Sequence, residues 1–204
     1  MFSRKSRKQK HFLDNWKPIL IKAMKSSPQK IPNLARPEAK FFIDEWNRLY
    51  ENANKENKTG LAVFAYRLDI HKYAAGMLID HRLNVRLSGI NILGNMGDES
   101  AWPLLSALIK HSQASVSFAA FKAMVKINSR RLLDEFLELV LTRYDWPIEQ
   151  LSHTLCEIPN TNIYVIVKAH TVKYQHIQCD RIRIILETLK KKHPDSGNVT
   201  PVPF

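Results

Sequence analysis

Residues 84–109 read NVRLSGINILGNMGDESAWPLLSALI and residues 115–141 read SVSFAAFKAMVKINSRRLLDEFLELVL; overlaid with a shift of 31, they keep the same apolar phases. Leu93, Met124, Leu155 and Leu186 fall 31 apart, and Met96, Ile127, Ile158 and Leu189 follow three residues later on the same helical face. Further into each unit Ala101, Leu132 and Ile163 recur at that interval, as do Leu105, Phe136 and Val167. One unit back, Ile70, Tyr73, Ala74, Met77 and Leu78 fill the phases of Ala101, Leu104, Leu105, Leu108 and Ile109. A fixed period held without insertion marks units that cannot bury an apolar face alone and stack to do so.

Each unit divides into two helices at a constant place. Asp98, Ser129 and Asn160 are N-cap residue types, whose side-chain oxygen can accept from a first-turn N–H. Gly97, Asn128 and Pro159 stand just before them, where a helix ends and the chain turns. Asn84 and Ser115 are placed to cap the first helix of their units, and Asp145, ahead of Trp146-Pro147, to cap the next. The expected units are therefore 53–83, 84–114, 115–145 and 146–176. A preceding helix over 41–52 carries Phe42, Trp46 and Leu49 or Tyr50 on one face. A last, unpaired helix over 178–192 has Arg181, Arg183, Glu187 and Lys190 to Lys192 as the polar side an end cap needs. The predicted fold is all-α: a right-handed α-solenoid of about four stacked helical pairs, with an N-terminal amphipathic segment and a C-terminal capping helix. Residues 38–192 form the repeat domain, and 193–204, with three prolines and a glycine, a disordered tail.

The net charge of +12 on 204 residues invites a polyanion reading, but the charge is unevenly spread. Residues 1–40 hold eleven Lys/Arg against two Asp/Glu, whereas residues 41–204 hold twenty against seventeen. The excess sits in a basic arm, residues 1–10, with Arg4, Lys5, Arg7, Lys8 and Lys10 at its head, and such a cluster is expected to stay solvated. An amphipathic helix follows over 11–25, with Phe12, Trp16, Ile19, Leu20 and Ala23 on one face. Pro18 fits that helix if it starts near Asp14 or Asn15, which places the proline in the first turn. Asp14, Lys17 and Lys22 interrupt any signal-peptide core, and no stretch is long and apolar enough to span a bilayer. Residues 26–37, with Pro28, Pro32 and Pro37, form a linker. The arm and Trp16 are candidate contacts to an anionic membrane surface or another polyanion through residues 1–25. The folded part is too nearly neutral to favour nucleic acid.

The two quoted units resemble HEAT and HEAT-like repeats, over roughly residues 54–190. The Val-Arg that often opens such units is present at Val85-Arg86, while the matching positions hold Val116-Ser117 and Pro147-Ile148. The order NWKPILIKAM, proline-rich linker, FFIDEWNRLYE, GDESAWPLL and TRYDWPIEQL also resembles bacterial membrane-tethered HEAT-repeat proteins associated with glycosyltransferases. That resemblance implies a transmembrane helix upstream of the basic stretch, absent from this chain, and a cytoplasmic location at the inner face of the membrane. HEAT resemblance implies a binding scaffold with an unidentified protein partner.

Catalytic signatures are missing: no Gly-rich phosphate loop, no G-x-S-x-G and no H-E-x-x-H occurs. His153-x-x-Cys156 and His176-x-x-Cys179 have metal-ligand spacing, but the two pairs fall at different repeat phases, so buried structural cysteines are expected and no metal or cofactor. HEAT-like DNA glycosylases are the enzymatic alternative; Trp102, Tyr164, Lys168, Arg130 and Arg131 are all that could furnish their groove. The expected function is a non-catalytic protein-interaction scaffold, with nucleic-acid binding as the alternative. Leu133, Leu137 and Leu141 extend the core face of their helix, with Trp102 and Tyr164 at matching positions in adjacent units. A helix apolar nearly all round needs cover on nearly every side, from neighbouring units, the N-terminal segment or a partner. These five residues are the candidate apolar binding patch, and the N-terminal helix is one candidate occupant.

Overall fold

A computed structural model describes residues 4–26, 28, 31–158, 163–173 and 179–192, the side chains of residues 4–11, 36, 173 and 179 excepted. Among them are ten α-helices, two 3-10 turns and no strand. The helices are α1 (Arg4–Lys25), α2 (Ala39–Glu51), α3 (Lys55–Arg67), α4 (Ile70–Met77), α5 (Leu83–Met96), α6 (Trp102–Leu108), α7 (Ala114–Thr142), α8 (Ile148–Cys156), α9 (Ile163–Lys173) and α10 (Cys179–Lys192). The chain is an all-α solenoid. The repeat phases read from the sequence form its core: Leu93, Met124, Leu155, Leu105, Leu132, Val167 and Leu189 are fully buried, and Leu186 is half-buried.

The break between paired helices comes where the period puts it. Gly97 closes α5 with φ +67, the left-handed conformation that costs glycine nothing, and Asp98 caps the following turn by accepting from Ser100 N–H. In α7 two helices run together across a kink at Asn128 (φ −156, ψ 89). There the cap is Asn128 itself, whose Oδ1 accepts from Arg131 N–H at 3.1 Å, and not the expected Ser129. The capping roles expected of Asn84, Ser115 and Asp145 are not realised either, because the N-cap positions of α5 and α7 fall two residues earlier, at Arg82 and Gln113, and α8 starts behind Pro147. The turns before α5 and α7 use Asp80 and His111 instead, which accept from the N–H groups of Arg82 and Gln113 and stand 31 apart. Pro159 and Asn160, the tail 193–204, and His176 lie outside the described residues.

At the N-terminus the structure departs further from expectation. Helix α1 begins at Arg4, so residues 4–10 are helical and not a separate arm, and Pro18 sits mid-helix and not in the first turn. An interior proline costs roughly 3 kcal/mol. Anchors on both sides of it offset that cost: Phe12, Trp16, Leu20 and Ala23 are buried against α2 and α3. Each large side chain so buried contributes about 1.5–3 kcal/mol. Trp16 meets Phe42 edge-on at 5.4 Å and stacks on Phe12 at 6.0 Å, while Phe12 also touches Phe41. Gly60 of α3 allows the close approach, since a Cβ there would lie 2.4 Å from the Ala23 carbonyl oxygen. Trp46 Nε1–H donates to the Leu61 carbonyl and ties α2 to α3. Helix α2, more than α3, is the neighbour of α5.

At the other end α10 packs on α8 and α9 and exposes Arg183, Glu187 and Lys190 to Lys192, as a capping helix must. Arg181, expected on that polar side, is buried and turned inward.

Candidate interaction surfaces

The apolar patch expected at Trp102, Leu133, Leu137, Leu141 and Tyr164 is not open. Trp102, Leu133, Leu137 and Leu141 are buried and Tyr164 is half-buried. Neighbouring units supply part of the cover. Trp102 Nε1–H donates to Glu135 at 3.1 Å, and Arg131 lies over the Trp102 ring at 4.6 Å and pairs with Glu135 at 2.6 Å, whereas Tyr164 is covered from its own helix by Lys168. The salt-bridged Glu135 carboxyl is held below the usual range by Arg131 and then by the indole N–H. The N-terminal helix does not serve as the lid: its contacts are with α2 and α3, at the far end of the array. With Trp102 already buried, the aromatic groove of the glycosylase alternative lacks its main platform.

Trp16 is likewise corrected as a membrane contact, because its ring is spent on Phe42 and Phe12. The side chains of Arg4, Lys5, Arg7, Lys8 and Lys10 lie outside the described residues, although their backbone is helical. Among its described side chains, α1 turns outward Asp14, Asn15, Lys17, Pro18, Ile21, Lys22 and Lys25. No described helix is long and apolar enough to cross a membrane.

Of the metal-spaced pairs, Cys156 is buried, which pushes its thiol pKa up, and His153 is exposed beside Glu157 at 3.3 Å. No group of three or more His, Cys, Asp or Glu among the described residues is placed to hold a metal ion.

Two features escaped the sequence reading. The first is a series of arginines that fasten the turns between units. Arg86 donates from Nε and Nη2 to the Asp80 carbonyl and approaches His111 Nε2 at 3.2 Å. One period on, that arginine is Ser117, and the guanidinium arrives from the following turn instead. Arg143 donates to the carbonyls of Ile109 (3.0 Å) and His111 (3.2 Å) and to Ser117 Oγ (2.7 Å). Trp146 Nε1–H donates to the same Ser117 Oγ. At the next turn the position is Ile148, and Arg181 reaches over from α10 to the carbonyls of Arg143 and Trp146. The departures from Val-Arg are thus made good by arginines from outside the motif. Asp145 holds Arg143 in place and is kept below the ordinary carboxylate range by it.

The second is a polar seam across α2, α5 and the first half of α7. Asn47 Nδ2 donates to the Ser88 carbonyl, Asn95 Nδ2 to Asn47 Oδ1, and Lys126 Nζ to Asn95 Oδ1 at 2.6 Å. Asn47 and Asn95 are buried, so the chain of hydrogen bonds fixes their amides and aims Lys126. Desolvation pulls the Lys126 amine pKa down, assisted by the like charges of Lys122 and Lys58. Beside the seam an open groove of about 420 Å³ separates α7 from α8, lined by Phe118, Lys122, Gln150, His153 and Glu157 among others. A second groove of about 570 Å³ lies along α4, with Met77 and Val85 in its lining and Lys40, Lys72 and Arg82 at its charged edge. Asp69, in its wall, has a left-handed φ of 54 and is paired with Lys72.

Stacked helical pairs of this kind define an α-solenoid. Comparison with known families narrows the class: residues 77–154, from the end of α4 into α8, match HEAT repeats, and the protein carries HEAT-like repeats over this stretch. No curated protein and no solved structure matches the chain.

Proposed function

We propose that this protein is a non-catalytic scaffold that binds a protein partner on the open face of α2, α5, the first half of α7 and α8. The observation that carries the reading is the polar seam, a hydrogen-bonded line of side chains shared by α2, α5 and α7, the last two within the stretch that matches HEAT repeats. Buried amides that end in an outward lysine suit recognition of another chain, and HEAT repeats commonly serve as protein-interaction scaffolds. A photo-crosslinking residue at Asn91, half-exposed on α5, tests it in cells. A discrete protein adduct, absent when the label is moved to Ala107 on α6, supports the scaffold. Crosslinking only to nucleic acid opposes it.

The outward lysines of α1 favour an accompanying role at an anionic, cytoplasmic membrane face. Lys17, Lys22 and Lys25 form a charged side that needs no undocking of the helix, and each basic residue near an anionic surface contributes about 1 kcal/mol. Co-sedimentation with phosphatidylglycerol vesicles, lost on changing these three lysines to Glu, is the expected result. Equal sedimentation with phosphatidylcholine vesicles opposes the role.

A further inference from the structure

The surface cations of this protein fall into two groups. Lys40, Arg48, Lys72, Arg82, Arg131 and Arg183 each have a carboxylate partner. Lys58, Lys122 and Lys126 have none among the described residues, and neither do Lys17, Lys22, Lys25, Lys55, Lys110, Arg130, Lys168 and Lys190 to Lys192. Lys58, Lys122 and Lys126 are set apart by coming together from two parts of the chain, α3 and α7, across the α2–α5 seam. Lys58 of α3 lies over the Tyr50 ring of α2 at 5.2 Å, and Lys122 of α7 lies over Phe118 at 5.4 Å. Lys126, one turn from Lys122, uses a single N–H on Asn95 and keeps two donors unspent.

Aromatic rings hold two of the ammonium groups in position without neutralising them. The Asn47–Asn95 chain anchors the third from below.

We propose that the Lys126 ammonium on the Asn95 amide, with Lys122 one turn away on α7 and Lys58 over Tyr50, forms the docking strip for an acidic, extended segment of a partner protein, an inference that rests on the scaffold reading above. An extended peptide advances about 6.6 Å for every second residue, so alternate carboxylates can meet successive lysines. The Lys126 donors take a carboxylate while Asn95 keeps its existing bonds. Duplex DNA is the poorer fit: a protein that makes about 6–10 phosphate contacts neutralises that many charges, and this strip offers three cations.

The test uses the full chain and a fluorescein-labelled peptide of alternating Glu and Gly, with the Gln–Gly counterpart as control, read by anisotropy at low and near-physiological salt. The Glu–Gly peptide is expected to bind and the Gln–Gly peptide not to. The Lys122→Glu/Lys126→Glu variant should lose affinity about tenfold or more, from charge reversal at the strip. Changing Arg4, Lys5, Arg7, Lys8 and Lys10 to Gln should alter it by no more than about twofold at near-physiological salt, where screening favours charges in direct contact. Lys58→Glu, at the other edge, gives the same direction of loss should the double variant melt early. Failure of the wild type to bind, binding unaffected by reversal, or loss in the arm variant alone would overturn the docking strip. A partner trapped at Asn91 that survives Lys122→Glu/Lys126→Glu would overturn the strip and leave the scaffold standing. Tighter binding of duplex DNA, lost in that same variant, would overturn both.

Discussion

Replacing Arg143 by Ala removes the fastening between the second and third repeat units. Its guanidinium is the charged donor to the carbonyls of Ile109 and His111 and to Ser117 Oγ, at 3.0, 3.2 and 2.7 Å. The side chain is only 17% exposed, so water does not freely replace those bonds. Hydrogen bonds to a charged group contribute about 1.5–3 kcal/mol each, and unmet buried acceptors keep their desolvation cost. The Asp145 partner is 42% exposed and adds little, as surface pairs do. The Arg143 guanidinium also lies over the Trp146 ring at 5.3 Å, a further contact that alanine deletes. Because the bonds share one group, their contributions do not add, and a net loss of roughly 2–4 kcal/mol is expected. Arg143→Lys should recover less than half of it, since a single ammonium cannot span two carbonyls as the planar fork does. Urea denaturation followed by circular dichroism measures the total, and hydrogen exchange should localise the opening to residues 109–117. Arg82→Ala is the control, because its pair with Asp80 is 62% exposed on the arginine side. A midpoint for Arg143→Ala equal to that of Arg82→Ala would refute the account of the turns.

Further consequences follow from the core and the charges. Met124→Asp or Leu155→Asp places an unpaired carboxylate at a fully buried repeat phase and should unfold the array, read as loss of the cooperative helical melt. Gly60→Ala forces a Cβ toward the Ala23 carbonyl oxygen and should destabilise α1 docking by about 1–3 kcal/mol, lowering the melting temperature and red-shifting Trp16 in a variant whose other tryptophans are phenylalanine. Asp80, Glu135 and Asp145 have carboxyls held low by their arginine partners, so their folded pKa values lie below the unfolded ones. Their contribution is present above about pH 4 and fades as pH falls through the folded values. Asp145→Asn should therefore flatten part of the acid limb of a stability profile. Tyr66 is pushed up to about 12 by burial and Asp98; its contribution is complete below the unfolded pKa and lost as pH rises through the folded one. Tyr66→Phe should remove that component from the alkaline limb.

What the sequence carried well was whatever a period can encode. Leu93, Met124 and Leu155 share a phase because each meets the same neighbour in a repeated stack, so their burial was legible before any coordinate. Contacts between unlike elements were not. The aromatic face of α1 could have covered the Leu137 face or the Phe42–Phe64 surface; complementarity of shape decided for the latter, and no residue pattern encodes it. The turn arginines were hidden for a related reason. Their acceptors are backbone carbonyls, which every residue has, so Arg143 and Arg181 look in sequence like ordinary surface charge. Caps slipped by one residue where another polar side chain, Asn128 in place of Ser129, reached the N–H first. The polar seam left a partial trace, since Asn95 and Lys126 are one period apart. Nothing in the sequence joined them to Asn47.

Helix α1 is part of the stack, which leaves the polar seam, and neither the apolar face of α1 nor the Leu137 face, open to a partner. Hydrogen exchange on the full chain measures this directly. The amides of residues 16–25 should exchange as slowly as those of α2 and α3, with protection continuing through α5 and α7. Exchange of residues 16–25 at the rate of an unstructured chain, beside a protected α5 and α7, would contradict it.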